Sequence, residues 1–150
     1  MARKLEFDKG EALRNAMLIF WDKGYESTSM EDLVQAMNIN RFSLYNSFGD
    51  KKALLLLALE DYRVSVLHGL ISPLQSDDSG VLCLSNYFDN MSKQLGLPSG
   101  KLGCFIQKTG QSYIASDPDI AKVLQSVLEE LRAALFNVVE RSNLSVIYFS

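Results

Sequence analysis

The sequence predicts an all-α protein, with an N-terminal three-helix head that contains a helix-turn-helix and a helical body behind it. Three observations carry this prediction. Apolar residues recur at helical spacing along most of the 150 residues. Helix-capping residues stand in front of several of these segments, and no β pattern of useful length appears before the last residues. We place the head at residues 1–50, the body at 51–141 and an atypical tail at 142–150.

The first helix is predicted over residues 9–23, where apolar residues such as Ala16 and Phe20 lie at helical spacing. Lys23 and Gly24 end this helix. A cation suits the carbonyl end of a helix, and a glycine can adopt the left-handed cap position.

The second and third helices are separated by a break about as long as a helix-turn-helix turn. Either Thr28 or Ser29 caps the second helix, because each has an acidic residue three positions later. The break lies at residues 38–40, and Asn40 caps a third helix over residues 41–48.

The body begins with a long helix over residues 51–71, which Ser72 and Pro73 end. This helix is rich in leucine on more than one face, so we expect other helices to cover it. Further helices are predicted over about 81–95, 104–115 and 118–141. Asp117 and Pro118 open the last of these, because a capping Asp before a first-position Pro suits a helix N-terminus.

The composition limits the class of protein. A hydrophobic fraction of 47% supports a packed interior and excludes a disordered chain. Residues 1–8 lack the apolar core of a signal peptide, and the longest apolar run, residues 53–59, is too short to cross a bilayer. Two cysteines are too few for a disulfide scaffold. These features predict a cytoplasmic protein that is not embedded in a membrane.

The charge does not by itself indicate a partner. The net charge is −3, and residues 1–63 hold nine Lys and Arg against ten Asp and Glu, a net of −1. Nucleic-acid binding would therefore depend on where the charges lie rather than on their sum.

A set of residues within positions 12–57 carries a family resemblance: Ala16, Phe20, Gly24, Tyr25, Thr28, Ser29, Ile39, Leu44, Tyr45, Phe48 and Lys51. In order and spacing they resemble the N-terminal DNA-binding domain of the TetR family of bacterial transcriptional regulators. Residues 103–105 followed by Asp117 and Pro118 also resemble a body pattern of one branch of that family. The resemblance implies that the body is a helical ligand-binding and dimerisation domain.

The same resemblance implies a function. We expect a transcriptional repressor that binds a double-stranded DNA operator as a homodimer and that a small-molecule effector releases, with no cofactor. The two recognition helices of such a dimer lie about one DNA turn apart, roughly 34–36 Å. The alternative is a helical ligand-binding or interaction protein that has lost DNA binding because of truncation. The weak charge, Phe42 and the tail favour that alternative.

The tail, residues 142–150, differs from the pattern of the TetR family. Another long helix normally follows the one that ends near residue 141, whereas residues 142–150 are short, apolar and β-prone. We expect a truncated or frame-shifted reading frame. The alternative is a real strand, or a tail that docks at the interface between two copies.

Nine residues are predicted to contact DNA: Thr28, Arg41, Phe42, Ser43, Tyr45, Asn46, Ser47, Lys51 and Lys52. On the exposed face of the third helix, Arg41 suits guanine and Asn46 suits adenine. By resemblance, Tyr45 and Lys51 match positions that grip phosphates. Thr28 matches a phosphate contact too, although helix capping explains it equally well.

Two features of this set are unusual. Lys51 and Lys52 oppose the macrodipole at a helix N-terminus, so an anion bound there would interact favourably with both lysines and the backbone amides. DNA phosphate is the expected anion, and a solvated lysine pair is the alternative. Phe42 stands where the family commonly has a small residue, so it either touches a thymine methyl or blocks close docking.

The ligand-binding residues are predicted to be Phe88, Met91, Cys104, Phe105 and Tyr113. The large side chains would line a pocket among the fourth, fifth and sixth predicted helices, although plain core is the alternative for each. Cys104 lies near a predicted helix N-terminus with Lys108 one turn on, and both features favour a thiolate. It is either an oxidant- or electrophile-sensing cysteine or a small buried residue.

Catalysis is not expected. His68 is the single histidine, and it has no partner for a metal pair or a catalytic couple. Residues 96–101 only approximate a phosphate-binding loop, because the spacing is one residue short and Leu102 replaces the hydroxyl residue. The sequence predicts no catalytic residue and no metal site.

Overall fold

The computed structural model describes residues 7–76 and 80–146, and within those ranges it contains helices and helical turns but no strand. The all-α prediction is confirmed. The head consists of α1 (Lys9–Lys23), α2 (Met30–Met37) and α3 (Arg41–Phe48). These three helices have the predicted bounds.

The body begins with α4 (Lys51–Tyr62), which continues through a π-helical turn at Arg63–Leu67 into α5 (His68–Ile71). The predicted long helix is therefore present, with one wider turn inside it. The later elements are a 3-10 turn at Ser72–Gln75, α6 (Gly80–Gly96), a 3-10 turn at Pro98–Leu102, α7 (Phe105–Gly110), a 3-10 turn at Tyr113–Ser116 and α8 (Pro118–Val146).

Two predicted segments of the body are wrong in their bounds. The helix predicted over 104–115 stops at Gly110, and a 3-10 turn follows it. The helix predicted to end near Arg141 continues to Val146, so the first part of the predicted tail is helical. Residues 147–150, where most of the β-prone pattern lies, are outside the described residues. No helix in the part of the chain that the structure describes is long and apolar enough to cross a membrane.

Local capping explains where the helices of the head start. Of the two predicted caps of α2, Ser29 holds the position, and its hydroxyl accepts from the Asp32 amide at 3.0 Å while the Asp32 carboxylate accepts from the Ser29 amide at 2.9 Å. This reciprocal pair is a capping box. At the end of α1, Gly24 has φ 85° and ψ 162°. It uses a positive φ, as predicted, but not the left-handed helical conformation.

One hydrophobic core joins the head to the body. It includes Phe20, Leu33 and Leu44 of the head and Phe105 and Ile120 of the body, all at most 1% exposed. α1 packs against both α2 and α4, so it lies at the centre of the head. The predicted division at residue 50 stays a prediction, because this core crosses it.

An aromatic cluster occupies the junction of head and body. The Trp21 ring meets the Tyr62 ring edge-on at 5.0 Å between centroids, and Tyr62 meets Phe105 at 5.6 Å in the same way. The indole nitrogen of Trp21 donates to the Gly103 carbonyl at 3.1 Å. Lys108 of α7 donates to the Trp21 carbonyl at 2.7 Å, so a body cation caps the C-terminus of α1.

A second, smaller cluster lies at the far end of the body, where α5 and α6 pack against α8. Its buried members are Ile71, Leu74, Cys83, Tyr87, Ala134 and Val138. Arg141 fixes the turn after α5 by donating to the carbonyls of Leu74 and Ser76 at 3.0 and 2.8 Å. α8 therefore contacts both clusters and runs the length of the body.

The capping box should make stability depend on acid pH. Lys23 Nζ lies 2.7 Å from the Asp32 carboxylate, and this hydrogen bond, followed by those from Ser29, lowers the pKa of Asp32 from 3.8 to about 2. Because the pKa is depressed in the folded state, the contribution of Asp32 is present above pH 3.8 and is lost as the pH falls towards 2.

We therefore expect the Asp32→Asn variant to show a flatter decline of unfolding free energy than the wild type between about pH 4 and pH 2. Urea unfolding followed by circular dichroism at a series of pH values measures this. Lys23→Gln removes the largest cause of the lowered pKa of Asp32 and should flatten the decline in the same direction. Identical slopes for the wild type and Asp32→Asn would show that the capping box does not have the proposed charge state.

Candidate nucleic-acid interface

The turn between α2 and α3 gives the helix-turn-helix its shape. Asn38 adopts a left-handed conformation, with φ 51° and ψ 43°, which asparagine tolerates better than most residues. Ile39 follows and is only 8% exposed, so it anchors the turn in the core. Asn40 then caps α3, and its side-chain oxygen accepts from the Ser43 amide at 2.8 Å. The predicted cap of the recognition helix is confirmed.

α3 has one buried side and one exposed side. Leu44 is fully buried and Phe48 is 7% exposed, and the two lie one turn apart. The opposite side carries Arg41, Phe42, Tyr45 and Asn46, all exposed, with Ser43 and Ser47 at its edges, partly exposed. The structure thus brings six of the nine predicted DNA contacts onto one continuous surface, which we call the α3 surface.

The α3 surface contains an unusual apolar group. Phe42 is 76% exposed, and Tyr45 beside it is 48% exposed. Burial of an aromatic ring is favourable, so a ring left in water at the start of α3 is suited to contact with a partner.

Arg41, the predicted guanine reader, already has an anionic neighbour. Its guanidinium donates to the Glu31 carboxylate of α2 at 2.9 Å. Both side chains are largely exposed, and such a pair is weak in water. The ion pair orients Arg41 without burying it, so the guanidinium remains available for another acceptor.

Lys51 is held by an aromatic ring. Its ammonium lies 4.3 Å from the centroid of Tyr25, and Tyr25 in turn stacks on Phe20 at 5.9 Å. Desolvation in this position lowers the pKa of Lys51. The ring fixes the Lys51 ammonium at the N-terminus of α4. The backbone amides of that first turn also attract anions, so both would favour an anion bound there.

Lys52 points towards the start of α8. Its ammonium lies 2.9 Å from the Asp117 carboxylate and 2.8 Å from that of Asp119, at the start of α8. The hydrogen bonds that Lys52 donates to Asp119 and Asp117 raise the pKa of Lys52, and the same bond lowers the pKa of Asp117. We call these three residues the Lys52 clasp. The sequence prediction had placed Lys52 against phosphate and had no signal for partners 65 and 67 positions away.

Thr28 does not share the α3 surface. It is 1% exposed, and its hydroxyl donates to the Gly24 carbonyl at 2.6 Å. In this conformation its side chain stabilises the turn between α1 and α2. Thr28 does not cap α2, because Ser29 holds that position, and its contact with phosphate stays a prediction.

The residues predicted to bind a ligand are not brought together. Phe88 and Tyr113 are 59% and 90% exposed, whereas Phe105 is 1% exposed and belongs to the aromatic cluster with Trp21. Met91 packs against the second, smaller cluster. Cys104 is exposed, which excludes the alternative of a small buried residue.

Cys104 nevertheless lines a small cavity between α5, α7 and α8. The lining residues are Leu67, Ile71, Cys104, Ile106, Val127, Leu128, Glu130 and Leu131, and the cavity volume is about 50 Å³. The Tyr62 hydroxyl donates to the Cys104 sulfur at 3.9 Å, and burial raises the pKa of Tyr62, so this phenol stays a donor. Pockets for small organic molecules usually measure roughly 300–1,000 Å³, so this cavity is too small for one without expansion.

Metal ligands are not grouped anywhere in residues 7–76 and 80–146. No set of three or more His, Cys, Asp or Glu side chains there could hold a metal ion.

Comparison with known proteins finds a family match that covers most of the head and the start of α4. Residues 12–58 match the family of bacterial regulatory proteins described as the tetR family. The HTH-type transcriptional regulator YezE of Bacillus subtilis (strain 168) is 28% identical over 142 residues, which cover 95% of this chain and 73% of YezE. The HTH-type transcriptional repressor ComR of Escherichia coli (strain K12) is 32% identical over 123 residues, covering 80% of this chain but only 58% of ComR.

Solved structures share the fold. A cysteine mutant of the TetR family transcriptional regulator CifR, solved with a 26-base-pair operator DNA, superposes with a TM-score of 0.75 at 24% identity, over 94% of this chain and 76% of CifR. A TetR-family transcriptional regulator from Streptomyces coelicolor gives 0.71 at 16% identity, over 90% and 80% of the two chains. At such identities the likeness concerns the fold alone.

The cap of α3 can be tested separately from DNA. We expect Asn40→Ala to lower the free energy of unfolding by about 1 kcal/mol, because the Ser43 amide loses its acceptor. Asn40→Ser keeps a capping oxygen and should lose much less. Urea unfolding of the three proteins measures the difference, and equal stability of Asn40→Ala and the wild type would mean that Asn40 does not cap α3.

Proposed function

We propose that the chain is a transcriptional repressor of the TetR family, which binds operator DNA as a homodimer and leaves it when an effector binds. The match of residues 12–58 to the tetR family and the similarity of YezE to 95% of this chain support the proposal. The observation that carries this proposal is the α3 surface. A short capped helix is held by Leu44 and Phe48, and it turns polar and aromatic side chains outwards. That arrangement suits a helix lying in the major groove.

We assign base contacts to the α3 surface. Arg41 suits the two acceptors of guanine, Asn46 suits adenine, and the exposed Phe42 ring suits a thymine methyl. The hydroxyls of Ser43 and Ser47 can bond to a base edge or a phosphate.

Phosphate contacts fall to Tyr45 and Lys51. The Tyr45 hydroxyl is a donor on an exposed side chain, and Lys51 stands at the N-terminus of α4. The first amides of a helix have no partner within it, so they add to the attraction for an anion. Such contacts fix the position on the duplex without reading its sequence.

The names of similar proteins support the repressor role. ComR and BdcR of Escherichia coli (strain K12) are named HTH-type transcriptional repressors, and BdcR is 26% identical over 60% of its own length. CifR has been solved on double-strand operator DNA. A regulator of this kind acts in the bacterial cytoplasm, where the DNA is.

The homodimer is supported by an apolar groove on α8. Leu128, Phe136 and Val139 are 59%, 54% and 45% exposed, although they lie on the longest helix of the body. With Leu131, Arg132 and Leu135 they line a groove of about 430 Å³. An exposed apolar patch of this kind marks a protein interface, and a second copy of the chain would cover it.

The effector site is proposed at the cavity beside Cys104. A ligand that enlarges this cavity would separate α5 from α8. Because α4 and α5 form one continuous helix that starts directly after the head, the movement would reach the head. The ligand releases DNA only if it binds one arrangement of the heads better than the other. Cys104 and Glu130 are the polar side chains that line the cavity, and the Tyr62 hydroxyl contacts the Cys104 sulfur.

Loss of the phosphate contacts should weaken binding to every sequence. We expect the double variant Tyr45→Ala, Lys51→Ala to stay folded, because both side chains are outside the core. Its affinity for operator and for random DNA should fall together. The slope of log affinity against log salt should become shallower by roughly 1.8 for a bound dimer, about 0.9 for the lysine contact that each of its two subunits loses. Fluorescence anisotropy at several salt concentrations measures both quantities.

Tyr45→Phe with Lys51→Ala keeps the aromatic ring and removes only the two proposed phosphate contacts, so it should weaken binding about as much as the double alanine variant. Operator affinity that is unchanged in the double variant at moderate salt would contradict the assignment of phosphate contacts to Tyr45 and Lys51.

Arg41 should determine sequence preference instead. We expect Arg41→Ala to select DNA in which one position of each half-site holds any base. The preference for the original base there should fall by about 1–3 kcal/mol of binding free energy. Repeated selection from a pool of random duplexes, for the wild type and the variant, measures the preference at every position. An unchanged preference would show that Arg41 reads no base.

A further inference from the structure

We propose that Asp117 and Asp119 compete with DNA phosphate for Lys52, so that the start of α8 restrains DNA binding from within the chain. In the free protein the clasp holds the Lys52 ammonium, and on DNA the same ammonium passes to the phosphate backbone. The inference rests on the proposed function, since it concerns how strongly the head binds a duplex.

The carboxylates surround the ammonium closely. Lys52 Nζ donates to both Asp117 oxygens, at 3.2 and 2.9 Å, and to Asp119 at 2.8 Å. Asp117 also begins α8, because its Oδ1 accepts from the Asp119 amide at 3.0 Å. The acceptors of the clasp are therefore held in place by the cap of a 29-residue helix.

The clasp is nevertheless partly open to water. The Lys52 side chain is 34% exposed, that of Asp117 is 23% exposed and that of Asp119 is 66% exposed. Exposed ion pairs are worth little in water, so another anion can replace these carboxylates at small cost. A buried pair could not exchange in this way.

Lys52 also stands beside the proposed phosphate site. It is the second residue of α4, next to Lys51, and the backbone amides of this first turn attract an anion. A flexible four-carbon stem lets the ammonium move between partners on different sides of the helix end. The unpaired Asp117 and Asp119 would then repel the same phosphates, so the carboxylates oppose binding both by holding Lys52 and by their own charge.

The head would remain attached when Lys52 leaves. Lys108 still donates to the Trp21 carbonyl, and the Glu26 carboxylate still accepts from the Ile114 amide at 2.9 Å. Neither contact involves a residue assigned to DNA. The clasp joins the start of α4, directly after the head, to the start of α8, and a duplex can break it without dissociating the core.

A double-mutant cycle tests the competition without knowledge of the operator. The four proteins are the wild type, Lys52→Gln, the pair Asp117→Asn with Asp119→Asn, and all three changes together. The probe is a labelled duplex of random sequence at low salt, followed by fluorescence anisotropy. Asparagine is also a good helix cap, so the start of α8 should be kept, and circular dichroism verifies the fold.

We expect the two Asp→Asn changes to raise affinity when Lys52 is present, and to raise it much less in the Lys52→Gln background. The difference between the two gains is the part that acts through Lys52, expected at roughly two- to five-fold, the range for exposed ion pairs. The long-range effect of removing two negative charges is present in both backgrounds and therefore cancels.

Glu129→Gln with Glu140→Gln is the charge-matched control. Both residues lie further along α8, with Glu129 about 15 Å from Asp119 along the helix axis, and their combined gain should not depend on Lys52. Equal gains for the two Asp→Asn changes in both backgrounds would overturn the competition. Failure of every variant to bind the duplex would overturn the proposed function as well.

A direct readout comes from the ammonium itself. In protein with labelled lysine nitrogens, the resonance that Lys52→Gln removes belongs to Lys52. We expect that resonance to move when the random duplex is added, and to lie away from its wild-type position in the Asp→Asn pair without DNA. A resonance that the duplex does not move would contradict the exchange.

Discussion

The α3 surface depends on the burial of Leu44 and Phe48. A helix of eight residues is not stable in water, so its position must come from tertiary packing. Leu44 is fully buried in the common core, and Phe48 contacts Phe7 with 6.3 Å between ring centroids. Because both anchors lie on one side of α3, the residues between them are forced to the outside. The chemistry available to DNA follows from that packing.

The head and body form one mechanical unit. Trp21, Tyr62 and Phe105 meet in a single aromatic cluster, although they come from α1, α4 and α7. α4 leads from the head into the body, and the Lys52 clasp joins its first turn to the first turn of α8. A change in the separation of α5 and α8 therefore has two routes to the head, through the core and through the clasp.

Local patterns of the sequence were sufficient to predict the helices of the head and the buried side of α3. The caps at Ser29 and Asn40 use residues within three positions, and the alternation of apolar and polar residues shows which side of α3 is buried. Contacts between distant residues had no such signal. Lys52 and Asp117 are 65 positions apart. Helical spacing also cannot distinguish core Phe105 from exposed Tyr113, so the sequence assigned to one pocket residues that the structure separates. Whether the α3 surface touches bases is still a prediction.

The most direct test of the account is a hydroxyl-radical footprint of the protein on the DNA that flanks its own gene. We expect two protected segments on one face of the duplex, with centres about one turn apart, roughly 34–36 Å, as two copies of α3 in successive major grooves require. Protection should weaken steeply as salt is raised. No protection at low salt would contradict the account, and it would favour a helical ligand-binding protein that does not act on DNA.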